Sequence, residues 1–244
     1  MSYFDERKSS NPIIQKYFSH RVGEISHESM TLEGVLNKVG FSTILLLLSA
    51  CYGWVYSSFS LVLIGAFGGL ALALLTIFKK TWASFTVPLY ALFEGLFLGA
   101  LSALLENIFP GIVSQAILIT LLILGLTLGA YRSGYLKATP RFRKMVYLGT
   151  SAIFLMYLLN FVLGLFGSGL PMINSSSWFG IALSLFIVGI ASLNLVLDFD
   201  FIENAVSQGL PRHMEWYAAF SLLVTIIWLY VEVLRLLEKL RGNK

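Results

Sequence analysis

Charge is scarce in this sequence. Asp, Glu, Lys and Arg make up 12% of its 244 residues, about half the roughly 25% usual in soluble domains. Meanwhile 57% of residues are hydrophobic and the mean hydropathy is +0.79. Such a chain cannot cover a water-facing surface, which excludes a soluble enzyme or binding domain. Cysteine is nearly absent: Cys51 stands alone, so an internal disulfide and a multi-cysteine metal site are excluded, and the side chain reads as a small hydrophobe. Histidine is limited to His20, His27 and His213, all outside the apolar runs. No Gly-x-Ser-x-Gly, His-Glu-x-x-His or phosphate-binding loop occurs, so no enzymatic chemistry, resident metal or cofactor is expected. The first forty residues lack an apolar h-region, and insertion is expected to start from the first membrane helix itself.

What is present is long apolar runs. A spanning helix needs about 20 mostly apolar residues, and seven stretches qualify: 41–59, 61–78, 86–105, 111–131, 145–166, 178–197 and 216–237. Polar, Gly and Pro residues separate them, as in Ser57-Ser58 and in segments 79–85, 106–110 and 167–177. The expected organisation is a tail over 1–39, a seven-helix membrane domain over 40–240 and a short basic tail over 241–244. The fold class is an all-α integral membrane bundle.

The net charge of +4 is not a nucleic-acid signal, because the cations gather in short clusters between apolar runs. Arg7, Lys8, Lys16, Arg21 and Lys38 precede the first run; Lys79 and Lys80 follow the second; Arg132, Lys137, Arg141, Arg143 and Lys144 follow the fourth. The first, third and fifth loops have none, so the positive-inside rule places the N-terminus in the cytoplasm. The end of the chain conflicts with this. Seven crossings put it outside, yet Arg235, Lys239, Arg241 and Lys244 make it basic, so the last helix either violates the rule or is re-entrant. Small residues recur at four-residue spacing in Gly65, Gly69 and Ala73, in Gly95, Gly99 and Ala103, and in Gly125 and Gly129. That spacing predicts close helix packing on those faces.

Acids inside apolar runs cost roughly 2.5 to 3.5 kcal/mol each on insertion scales, so they are the informative residues. Glu94 lies near the centre of the third run and has to be protonated, paired or water-facing. The sixth run ends in Asp198, Asp200 and Glu203, with no base nearer in sequence than Arg212. On a continuing helix Asn194 and Asp198 share one face, while Asp200, Glu203 and Asn204 share another. These acids are either interfacial or a functional cluster. Glu232 in the last run is either an interfacial partner of Arg235 or a buried site. Asn160 and Asn194 are expected as supporting polar groups that hydrogen-bond between helices. Carboxylates at membrane depth exchange protons and bind cations, and a shared site raises the pKa of one member. Cation movement modulated by pH is the natural hypothesis.

In their order along the chain, several segments resemble the Bax inhibitor-1 family, in a branch found in bacteria. They are Tyr90, Glu94, Gly95 and Gly99 in 90–99; Ala130-Tyr131-Arg132-Ser133-Gly134; Asn194, Asp198, Asp200 and Glu203 in 194–203; Glu215-Trp216-Tyr217; and Trp228 to Glu232 in 228–232. The resemblance implies a bundle with a central last helix, a pH-sensitive calcium leak in the bacterial inner membrane, and a pair of embedded aspartates serving as proton sensor and gate. It also implies, as an alternative role, modulation of a membrane-bound protease. The sixth-helix aspartate of the pair corresponds to Asp198 or Asp200, with Asp200 preferred. The second aspartate has no clear counterpart, since gapless matching from Trp216 puts an apolar residue near Val224 there. If the last two helices are antiparallel, Glu232 lies roughly 24 Å beyond Trp216, so only a re-entrant or strongly tilted last helix joins it to Asp200. Glu94 is the other candidate partner.

Overall fold

The computed structural model describes residues 29–170, 173 and 175–242. Seven long helices follow one another: α1 Leu32–Val55, α2 Phe59–Phe78, α3 Ala83–Ile108, α4 Ile112–Arg132, α5 Pro140–Leu165, α6 Trp178–Ser207 and α7 Met214–Gly242. All seven are long and apolar enough to cross a membrane, the third counted together with the 3-10 turn Lys80–Trp82. Helices satisfy this chain because lipid offers no partner for a free backbone N–H or C=O, so each apolar run has to bond internally. Among the described residues the extended pairing is limited to an isolated bridge between Ser29 and Pro211.

Local chemistry sets the boundaries. Thr31, Ser58, Thr139 and Ser177 each accept a backbone N–H from the first turn of α1, α2, α5 and α6, the usual N-cap role of a hydroxyl. Pro140 occupies the start of α5, where its missing N–H costs nothing. Before α4 the backbone turns through Gly111 at φ 80°. The Glu106 carboxylate accepts Gly111 N–H at 2.5 Å and Val113 N–H at 3.0 Å, tying the end of α3 to the start of α4.

Several boundaries differ from expectation, among them the start of α5, at Pro140 rather than 145, and the end of α6, at Ser207 rather than 197. The first helix starts at Leu32 rather than 41 and stops at Val55, so the anticipated end of the tail at 39 lies inside α1. The added turns carry Glu33 and Lys38, and hydropathy alone cannot see a helix that continues beyond lipid depth. The last helix is a single uninterrupted rod of 29 residues, about 43 Å long. It does not fold back, so the re-entrant alternative is set aside. Its regular structure also includes Arg241 and Gly242, within the expected tail. The calls on residues 1–28, with their four cations and His20 and His27, and on 243–244 lie outside the described residues.

The core is built around α7. One apolar cluster joins Ile112 and Ala116 of α4, Val188 and Leu195 of α6, and Leu222 and Leu229 of α7. A second joins Leu46 of α1, Val87 and Leu98 of α3, and Phe220 and Ile227 of α7. Packing against α1, α3, α4 and α6 makes α7 the central helix. The small-residue faces account for α1, α2 and α3. A Cβ added at Gly99 would stand 2.0 Å from the Ala50 carbonyl oxygen, one at Gly95 2.3 Å from that of Leu46, and one at Gly65 2.6 Å from the Phe97 nitrogen. These backbones touch. Gly125 and Gly129 break the pattern, having nothing within 4 Å of an added Cβ. Their expected packing partner is missing among the described residues because α4 turns other residues, such as Ile112 and Ala116, to α6 and α7. The helix α5 is the most peripheral, burying only Val146 and Ile153.

Candidate functional site

A polar stripe runs along α7. From Ser221 it continues through Thr225, Trp228, Glu232, Arg235 and Lys239 in steps of four, three, four, three and four residues, which keeps these side chains on one helix face. Glu215, six residues before Ser221, lies about a third of a turn off this face and nearer the helix start. Ser221, Trp228, Glu232 and Lys239 reach neighbouring helices or one another, and the two glutamates are almost wholly buried, at 1% and 2% exposure.

At the level of Ser221 the stripe meets Asp198 of α6. Asp198 is buried; its Oδ1 accepts the Ser221 hydroxyl proton, while its Oδ2 is buried without a hydrogen-bond partner among the described residues. Thr225, one turn on, donates to the Ser221 carbonyl at 3.2 Å. A second node forms around Glu232. The Tyr157 hydroxyl of α5 lies 2.9 and 3.0 Å from its two oxygens, Trp228 Nε1 donates at 3.2 Å and Arg235 at 3.3 Å. Arg235 also donates to the Tyr157 oxygen. At the far end Lys239 donates to the Gly180 carbonyl at 3.2 Å and to Ser184 Oγ at 2.8 Å, both on α6. The contacts Asp198 to Ser221 and Gly180 to Lys239 show that α6 and α7 are antiparallel. Ser221 and Glu232 are 11 residues apart, about 16 Å along the helix, so Asp198 and Glu232 do not form a direct pair.

Nor do the other acids gather. Asp200, the preferred counterpart of the family's sixth-helix aspartate, meets Arg143 of α5 at 2.6 Å. Glu203 accepts the Tyr131 hydroxyl of α4 at 2.5 Å. The two acidic faces expected on α6 exist, but tertiary contacts with α4 and α5 supply partners that sequence proximity did not suggest. Glu94 faces α2, with its Oε1 only 2.5 Å from where a Cβ on Gly69 would stand. That glycine therefore makes room for a carboxylate. Asn194 donates to Thr150 Oγ1 at 2.8 Å, joining α6 to α5, and Asn160 accepts Leu170 N–H at 2.8 Å.

Glu215 received no role from its position in the sequence. Its Oε1 accepts Thr31 N–H at 2.9 Å and Thr31 Oγ1 at 3.0 Å, and its other oxygen is ion-paired with Lys38. Gly34 leaves space for this carboxylate, for an added Cβ would lie 2.2 Å from Oε1. The helices α1 and α7 are locked together there. The available signal was two lone opposite charges flanking the first and last apolar runs. The basic chain end also finds partners: Arg235 pairs with Glu232, and Arg241 donates to the Pro110 carbonyl at 2.7 Å and to Gln115 at 2.9 Å. Those cations serve as side-chain ties within the bundle. Among the described residues no group of three or more His, Cys, Asp or Glu is placed to hold a metal ion.

A family model described as Bax inhibitor 1 like matches residues 11–242, nearly the whole chain. No curated protein and no solved structure matches it.

Proposed function

Because this chain belongs to the Bax inhibitor 1 like family, we propose that it is a non-enzymatic, pH-modulated cation leak, calcium being the expected ion, and that Asp198 is the group through which pH acts. The observation that carries the reading is the buried Asp198 carboxylate with one unpartnered oxygen. A carboxylate in such surroundings is strongly unfavourable unless a proton, a cation or water compensates it. In the closed bundle a proton on Oδ2 makes the group neutral. When the proton leaves, the charge favours separation of α6 from α7 and entry of water or a cation between them. The α7 stripe continues from that point in steps of at most about 6 Å along the axis, with Glu232 as the second acidic group. Lys239 and Arg235 occupy the far end and oppose cation passage until that end loosens.

In this reading the family's aspartate pair is replaced by one aspartate facing Ser221 and Thr225. Asp200 and Glu203 hold α6 to α5 and α4, and Glu94 is a separate buried acid between α2 and α3. The N-terminus is cytoplasmic and the membrane is the bacterial inner membrane. The test is calcium entry into proteoliposomes across a pH series. Asp198→Asn is expected to abolish the pH dependence, whereas Asp200→Asn keeps it. A wild-type pH profile in Asp198→Asn overturns the assignment. If the purified wild-type protein passes no cation but retains a membrane-bound protease on purification, the regulatory role takes its place.

A further inference from the structure

One end of the bundle concentrates positive charge that the protein itself answers only in part. The helices α4 and α5 are joined by segment 133–139, yet each packs on α6 rather than on the other. Between residues 132 and 144 stand Arg132, Lys137, Arg141, Arg143 and Lys144, all exposed, and no acid. Three of them lie at the beginning of α5, whose first turn carries no acidic residue. A helix N-terminus is the positive end of the macrodipole, so cations there raise the energy unless an anion is near. Among the described residues, only Asp200 answers them with an ion pair, through Arg143.

The second loop shows the contrast. Its Lys79 lies 4.3 Å from the Trp82 ring centre and its Lys80 4.8 Å from that of Tyr217, so both cations are spent within the molecule. The 132–144 cluster has no such ring contacts among the described residues. Beside it the surface turns apolar at once: Tyr135 is 89% exposed, Met145 65% and Leu148 72%. Charge next to exposed hydrocarbon at a helix end is the chemistry of a phospholipid, headgroup first and acyl chain after.

We propose that this end of the gap between α4 and α5 binds an anionic phospholipid. Its phosphate lies against Arg141, Arg143 and Lys144, and its acyl chain runs between α4 and α5 along α6. The headgroup competes with Asp200 for Arg143, so an occupied site frees a carboxylate two residues from Asp198. Binding itself is independent of any cation flux.

The test is retention of phosphatidylglycerol against phosphatidylcholine of matched chains by the full-length protein in detergent, read by native mass spectrometry. Preferential retention of phosphatidylglycerol is expected, weakened about fivefold per cation removed at low salt and so roughly a hundredfold in Arg141→Gln/Arg143→Gln/Lys144→Gln. That variant keeps Arg132 and Lys137, as many cations as the second loop has, so insertion is expected to be preserved. Should it fail to insert, the wild-type protein at 0.1 and 0.5 M salt decides, because the preference must fall with screening. Equal retention of the two lipids, a preference insensitive to salt, or an unchanged triple variant overturns the proposal. So does displacement of the lipid by a polyglutamate peptide at equal charge concentration, which would make the patch a protein-docking surface.

Discussion

Removing Lys38 should unfasten the first helix from the last, and the cost can be worked from the contacts. Glu215 is 1% exposed and accepts three hydrogen bonds, two from Thr31 and one from Lys38. Breaking a buried ion pair by removing one partner costs about 3–5 kcal/mol, because the other charge is left uncompensated. Here the low end, about 3 kcal/mol, is expected for Lys38→Met, since both Thr31 bonds remain and the Lys38 side chain is 17% exposed. For a chain of this length that corresponds to a drop of roughly 6–12 °C in Tm. Adding Glu215→Gln keeps an acceptor for Thr31 while deleting the charge, so the double variant should recover most of the loss. By contrast the Arg143 side chain is 45% exposed, and Arg143→Gln should cost under about 1 kcal/mol. The assay is the folded fraction by size-exclusion chromatography after heating in detergent. A Lys38→Met protein melting within a degree of wild type, or a double variant no better than the single one, refutes this account.

Gly99→Ala should destabilise the bundle by 2 kcal/mol or more, at about the scale of overpacking, while Gly125→Ala should be neutral or stabilising by up to about 1 kcal/mol from helix propensity; the same melting assay ranks them. Tyr157→Phe removes one donor from Glu232 but leaves Trp228 and Arg235, so a loss of about 1–2 kcal/mol is expected, and an unchanged Tm would show that α5 is not held by that contact. A cysteine at Asn243 in a Cys51→Ser background should react with an impermeant thiol reagent from the side opposite the N-terminal tail. Reaction from the same side would exclude seven crossings.

How much was legible depends on what each residue's partner was. The helices were readable because apolar length alone decides them; the missed turns at 32–40 belong to a helix whose polar end is held by Thr31 and Lys38 against α7. The face split on α6 followed from helix periodicity, but not which face turned inward. Asp198 and Asp200 are alike in sequence, and only the neighbours distinguish them: Ser221 on one side, Arg143 on the other. The α7 stripe is present in the sequence as a four-three spacing. Ser, Thr and Trp are ordinary in membrane helices, so its charged members Glu232, Arg235 and Lys239 stand out and the rest of the stripe does not.

The sequence by itself determined that this is a membrane protein of seven helices, because a bilayer imposes one length and one polarity on every crossing and both are local properties. It also determined the family, through segments whose order survives without knowledge of their contacts. Only the tertiary structure decided that the last helix is one unbroken rod, that Asp198 is the inward aspartate, that Glu215 locks α1 to α7, and that the basic chain end is tied to α6 and to the α3–α4 turn. Those facts depend on what residues far apart in the chain bring to the same place, and a buried charge acquires its meaning from the group it meets.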